Sequence, residues 1–291
     1  MQQIKRLIPT EILEQSCKVK IETEEQRRER ICKESCERMN NTTGNLNEID
    51  GYDCPLCNNR GGYYEAQLHN GYWYETFVYC KCRKIRQALA RLKKSGLKDV
   101  VYKYTFDNFD TTSEWQKTIK NAALNYCENG LNKWFYIGGQ TGSGKTHICT
   151  AAAIKLLKKG LNTKYLLWRD EAVKLKAAVN DTAIYGTMID EIKNADVLYI
   201  DDLFKTGKDK DGKVQQPTGA DINLAYEIIN YRYINKKPYT IISSECTLSQ
   251  LLEIDEATGG RIAEMAVQNG YGFSINLDIK KNHRLKNICE L

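Results

Sequence analysis

Gly139-Gln140-Thr141-Gly142-Ser143-Gly144-Lys145-Thr146 places glycines, a lysine and a hydroxyl at the spacing G-x-x-x-x-G-K-[ST]. That spacing builds a loop whose backbone amides turn inward around phosphate oxygens. A helix starting where the loop ends adds partial positive charge. In such a loop Lys145 reaches the terminal phosphates and the Thr146 hydroxyl binds Mg²⁺. Gly139 to Thr146, with the adjoining His147, are the expected nucleotide-binding residues. A second pattern, Val197-Leu198-Tyr199-Ile200-Asp201-Asp202, is an apolar run that delivers two acids at its end. Asp201 suits the Mg²⁺ shell, and Asp202 suits a general base that orients the attacking water. Ser244, closing the apolar run at 239–243, is a candidate for touching the γ-phosphate, whereas the charge on Glu245 would repel it. Arg261 opens the helical segment 259–265 and could stabilise phosphate charge in a neighbouring subunit. Arg232 and Arg284 are further arginine candidates.

A different chemistry is written in Cys54-Pro55-Leu56-Cys57 and Cys80-Lys81-Cys82. Cys-x₂-Cys is a turn that presents two thiolates to one tetrahedral Zn²⁺. The second pair is Cys-x-Cys, and 22 residues separate Cys57 from Cys80. Gly61-Gly62 and Asn70-Gly71, among tyrosines, predict a hairpin between the pairs. So small and aromatic a module has little core, so metal would supply roughly 10 kcal/mol of its stability. His69 could stand in for one thiol, and a redox couple is disfavoured because no βαβ strand precedes Cys54. Cys32 and Cys36 lie four residues apart and are expected to share one buried helical face.

The elements that must position these groups follow from pattern. Trp134 to Ile137 reads as a buried strand before the loop, and 148–157 as the helix after it. Further strands are expected at 164–168, 196–200, 239–243 and 271–277, each separated by helical sequence. Strand and helix alternating at this spacing give an α/β fold with a mostly parallel sheet, flanked by helices, that binds ligands at the carboxyl ends of its strands. Four regions are predicted: a charged helical stretch at 1–50, with Glu22 to Arg38 its clearest helix; the zinc-binding module at 51–82; a basic linker helix at 83–103; and the phosphate-loop domain at 104–291. In the linker, Ile85, Ala88, Leu89 and Leu92 share one face, and Arg83, Lys84, Arg86, Arg91, Lys93 and Lys94 occupy the other. That basic face and the lysine-rich loop 205–213 are candidate contacts for nucleic acid or simply solvated surface. Tyr165 and Trp168 read as core.

With 291 residues the chain can bury a sizeable core, and 42% hydrophobic with 27% charged residues is an ordinary balance for a soluble protein. No apolar run approaches the roughly 20 residues needed to cross a bilayer. The N-terminus has no uninterrupted signal-peptide core, so a cytoplasmic location is expected, and the eleven cysteines are expected as reduced thiols or metal ligands.

Taken together, Gly139 to Thr146, Val197 to Phe204, Arg232 to Glu245 and Arg261 to Met265 resemble the AAA+ ATPases that load replicative helicases in bacteria and phages, the DnaC/DnaI type, with IstB-like transposition helpers as relatives. Phe106-Asp107-Asn108-Phe109 resembles that family's entry segment, and the likeness covers about residues 83 to 285. The resemblance implies an AAA+ domain that binds and hydrolyses ATP, assembles into a ring or spiral, and contacts single-stranded DNA and a hexameric replicative helicase. It implies that Arg261 is the trans-acting arginine, and it supports the metal reading, because relatives often carry a similar CxxC…CxC region. The chain departs from the family at Glu245, where members usually carry Asn, and at Asp202, which is often Glu. A transposition regulator using the same motor is the alternative. A small-molecule kinase is disfavoured, since neither a substrate lid nor an acceptor pocket is evident.

Overall fold

A computed structural model describes residues 22–92, 103–207 and 215–284. The expected helix content before residue 22, the Lys93-Lys94 end of the basic helix and the 208–213 part of the lysine-rich loop lie outside the described residues. The chain divides into two compact units, Met1–Cys80 and Lys81–Leu291.

The first unit opens with helix α1 (Glu24–Asn40). It starts two residues later than expected, because Thr23 and Gln26 form a capping box that satisfies the first free amides. A short helix α2 (Leu46–Asp50) ends at Gly51. Strands β1 (Gly62–His69) and β2 (Tyr72–Tyr79) pair antiparallel, as the glycine signals predict. Asn70 and Gly71 turn the hairpin with φ of 50° and 78°, the positive values that a tight two-residue turn requires. The side chain of Asn40, at the end of α1, donates to the Tyr64 carbonyl and accepts from its amide, each at 2.8 Å, which satisfies both backbone groups of that residue on β1. Cys32 and Cys36 are both buried on α1, as expected, and burial raises both thiol pKa values.

The second unit starts with α3 (Cys82–Leu92), whose Ile85, Ala88 and Leu89 are buried as its spacing predicts. After α4 (Glu114–Asn129) come β3 (Lys133–Gly139), α5 (Lys145–Lys158), β4 (Thr163–Leu167), α6 (Trp168–Ala178), α7 (Thr182–Lys193) and β5 (Val197–Leu203). They are followed by α8 (Gly219–Ile234), β6 (Tyr239–Ser244), α9 (Leu248–Ile254), α10 (Glu256–Ile262) and β7 (Gly272–Ile275). The five strands are all parallel, in the order β4-β5-β6-β3-β7. β3 and β6 lie inside the sheet and are buried along almost their whole length, which is why they read as unbroken apolar runs. Trp168 begins a helix instead of ending a strand, yet it is buried with Trp134, Tyr136, Leu166, Ile200, Ile228 and Ile242 in one apolar cluster.

Arg232 turns out to be a core staple. Its side chain is fully buried and donates to Thr240 Oγ1 and to the carbonyls of Ile192, Lys193, Ala195 and Tyr239. Burial lowers its pKa to about 10, with Tyr126 and Asp196 opposing the shift. The guanidinium ties the end of α7 and the start of β6 to α8 and so cannot reach a phosphate. Among the described residues no helix is long and apolar enough to cross a membrane.

Candidate nucleotide and metal sites

The loop between β3 and α5 has the backbone that phosphate binding needs. Gly139 has φ of 101°, and a Cβ there would stand 2.1 Å from the Ile275 carbonyl oxygen, so only glycine lets β3 and β7 approach this closely. Gly144, with φ of 88°, precedes α5 with no side chain capping the helix. The first amides of α5 therefore face the loop unclaimed by any cap, which fits an anionic ligand. Lys145 Nζ lies inside the loop and donates to the carbonyls of Gly139 at 2.8 Å and Gln140 at 2.7 Å. Burial lowers its pKa, while Asp202 and Glu245 act to raise it. Ser143 Oγ donates to the Gln140 carbonyl at 2.8 Å and braces the turn from within. His147 is packed against Tyr104 and Phe109 and lies 2.8 Å from the Thr105 carbonyl, so the entry segment and the first turn of α5 meet.

The carboxyl end of β5 brings both acids to this loop by way of a bulge between Ile200 and Leu203. Asp201 is buried, and Thr146 donates to its Oδ1 at 3.2 Å, the pairing expected of two residues that share Mg²⁺. The same carboxylate accepts from Tyr165 at 3.0 Å, from Tyr199 at 2.8 Å and from Ser243. Four hydroxyls thus fix its oxygens, and burial beside it raises the pKa of both phenols, so they remain donors. Asp202 sits in the left-handed region with φ of 57°, and its amide donates to Ser243 Oγ at 3.1 Å. Burial raises the Asp202 pKa and the neighbouring Asp201 adds to this, against the pull of Lys205 at 2.8 Å.

The strand-tip hydroxyl that reaches the acids is Ser243, not Ser244. Ser244 is fully buried and donates to the Leu203 carbonyl at 2.7 Å, because alternation along β6 turns it away from its neighbour's side. Glu245 accepts from Thr141 Oγ1 at 3.1 Å and pairs with Lys205 at 3.1 Å. Burial opposes its charge, but Lys205, Thr141 and Lys145 together hold its pKa below the usual value. Arg261 is held by its own chain, with its guanidinium over the rings of Tyr226 and Tyr233 and donating to the Ala257 carbonyl. Arg284 is exposed near the end of the described residues. Tyr165, Tyr199, Ser243 and Lys205 all join the acids, and the sequence marks none of them for this site, Lys205 being legible only as part of the lysine-rich loop; the register that pairs Tyr165 with Tyr199 is the signal that finds the first two. Residues after β7 also press on the loop. Gln140 exchanges hydrogen bonds with the backbone of Asp278, and the His283 amide donates to the Gly142 carbonyl at 2.9 Å.

The sulfur atoms of Cys54, Cys57, Cys80 and Cys82 all lie within 4.8 Å of one another, and all four residues are buried. Cys54 and Cys80 have their sulfurs 3.8 Å apart, well beyond a disulfide bond. Four thiolates at about 2.3 Å from a tetrahedral Zn²⁺ would be separated by about 3.8 Å, so the donor set fits that metal. The knuckle is shaped by Asn59, with φ of 62°, whose side chain accepts the Cys54 amide at 2.8 Å and donates to Asp53 at 2.7 Å. Arg60 donates to the carbonyls of Cys57 and Met39, tying the knuckle to α1. His69 lies exposed at the far end of β1, outside the cluster.

Residues 78–255 match the family of IstB-like ATP binding proteins. The chain is 32% identical to the phage-like element PBSX protein XkdC of Bacillus subtilis (strain 168), over 81% of this chain and 88% of that protein. It is 25% identical to the replicative helicase loader DnaC of Buchnera aphidicola subsp. Baizongia pistaciae (strain Bp), over 42% of this chain and 50% of the loader. A solved structure, the crystal structure of the DnaC helicase loader, aligns with 61% of this chain and 98% of its own at 22% identity and a TM-score of 0.49.

Proposed function

This chain belongs to the IstB-like ATP-binding proteins, and from that premise we propose that it is a helicase loader, hydrolysing ATP with Mg²⁺ as it delivers a replicative DNA helicase to single-stranded DNA. The observation that carries the ATPase part is the hydroxyl of Thr146 in contact with Asp201, directly beneath a loop filled by Lys145. Lys145 and the loop amides bind and orient the phosphates. Mg²⁺ at Thr146 and Asp201 would neutralise charge as the γ-phosphoryl group departs. Asp202 holds the attacking water and accepts its proton, a role favoured by its raised pKa. Arg261 completes the site of a neighbouring copy in a ring or spiral, leaving its tyrosine shelf as subunits meet. The cysteine module binds one Zn²⁺ and grips the helicase, and the exposed cations at the start of α3, Arg83 and Lys84, contribute to DNA binding. A cytoplasmic location suits these partners.

The match to a replicative helicase loader supports loading. The transposition-helper reading is favoured by the family match itself, to IstB-like proteins. Pull-downs of the full chain with ATP separate the two: the loader reading expects retention of a replicative helicase, and retention of a transposase in its place sinks it. Lys145→Ala is expected to lower kcat/KM for ATP roughly a hundredfold or more while the metal content stays unchanged. Undiminished turnover would remove the phosphate loop from the mechanism.

A further inference from the structure

Lys205 links the two carboxylates that face the loop. Its ammonium lies 2.8 Å from Asp202 and 3.1 Å from Glu245, and Glu245 in turn accepts from Thr141 at 3.1 Å. The contacts Asp202–Lys205–Glu245–Thr141 therefore run from the end of β5 to the third residue of the phosphate loop. Lys145 feels the charges of Asp202, Glu245 and Lys205, so all four groups share one local field. Counting Asp201, three carboxylates and two ammonium groups surround the place where a triphosphate would add several negative charges. Asp201 is held by four hydroxyls rather than by an ammonium, and Lys145 belongs to the loop, which leaves Lys205 as the cation able to change partners. Its side chain is 35% exposed, and its flexible four-carbon stem can move the ammonium several ångströms without moving the backbone.

We propose that Lys205 is a γ-phosphate-selective switch, held by Asp202 and Glu245 when no γ-phosphate is present and transferred to the γ-phosphate when ATP binds. This inference rests on the ATP-binding reading above. A dianionic γ-phosphate attracts an ammonium more strongly than a single carboxylate does. The transfer uncovers a carboxylate oxygen of Asp202 when there is a phosphate to attack. ADP offers no such group, so the latch re-forms after hydrolysis. Glu245, which would otherwise repel the nucleotide, becomes the parking site that keeps Lys205 beside the loop.

The test is the ratio of ATP to ADP affinity, measured by titration of the full chain with each nucleotide and Mg²⁺. Lys205→Ala is expected to reduce the preference for ATP about tenfold, or about 1.4 kcal/mol, with ADP affinity unchanged. Glu245→Gln, which weakens the parking site and removes a repelling charge, is expected to raise the preference for ATP. A Lys205→Ala chain with an unchanged ratio, whether both affinities hold or fall together, overturns the switch and leaves the nucleotide site standing. Failure of the unaltered chain to bind either nucleotide overturns both.

Discussion

Among the described residues of the first unit, the buried apolar side chains are all cysteines, Cys32, Cys36, Cys54, Cys57 and Cys80, while Tyr72, Tyr74, Phe77 and Tyr79 stand exposed on the hairpin. The second unit buries Trp134, Phe135, Ile148, Leu156, Ile200, Ile228 and Ile242 completely. One region gathers thiols where the other gathers hydrocarbon. Apolar burial stabilises by about 25 cal/mol per Å² removed from water and needs no ligand. A thiol cluster contributes comparable stability only when a metal joins it. The contrast separates two ways of holding a shape: the second unit has a hydrocarbon core that needs no ligand, whereas the first has in its place a thiol cluster whose donor set fits a metal.

The sharpest way to break that contrast is to remove the metal. Cys54→Ser with Cys57→Ser is expected to abolish about one Zn²⁺ per chain and roughly 10 kcal/mol of stabilisation from the hairpin. Hydrogen exchange should then show β1 and β2 unprotected, with β3 and β6 still slow. A protected hairpin in a metal-free chain would defeat the comparison. Next in size, Arg232→Ala takes away five hydrogen-bonded contacts from carbonyls and a hydroxyl buried in the second unit. A loss of about 3–5 kcal/mol is expected by denaturant unfolding, with metal content unaltered. A loss below about 1 kcal/mol would show that the core closes without its staple. The smallest effect is expected from Tyr165→Phe, which deletes one donor to Asp201. The Mg²⁺ concentration needed for half-maximal nucleotide binding should rise about fivefold, near 1 kcal/mol, with the melting temperature nearly constant. An unchanged Mg²⁺ requirement would make Tyr165 core alone.

What could be read in the sequence was local. The phosphate loop, the two acids after Ile200 and the paired cysteines each lie within a few residues, so spacing alone announces them. The parallel sheet was also legible, since strands buried on both faces appear as apolar runs. The partners were hidden because they meet through register. Tyr165 lies opposite Tyr199, and Leu167 opposite Asp201, so a phenol 36 residues before the acid arrives diagonally beside it. Composition cannot reveal that, and a tyrosine on a buried strand reads as filler. Arg232 is hidden in the same way, because its five acceptors come from two separate stretches of chain, 192–195 and 239–240. Ser243 and Ser244 differ only in which side of β6 they face, and that is decided by the alignment of Leu203 with Ser244 across the bulge.

The backbone at Asp202, with φ of 57°, narrows what evolution or an engineer can place there. Branched and bulky side chains are strained in that region, whereas aspartate, asparagine and glycine settle into it with little cost. Asparagine would copy the contour of the native carboxylate and leave the kink intact, yet could not take up a proton from water. The bend therefore also narrows the residues that settle there without strain to a handful, of which aspartate alone carries a carboxylate.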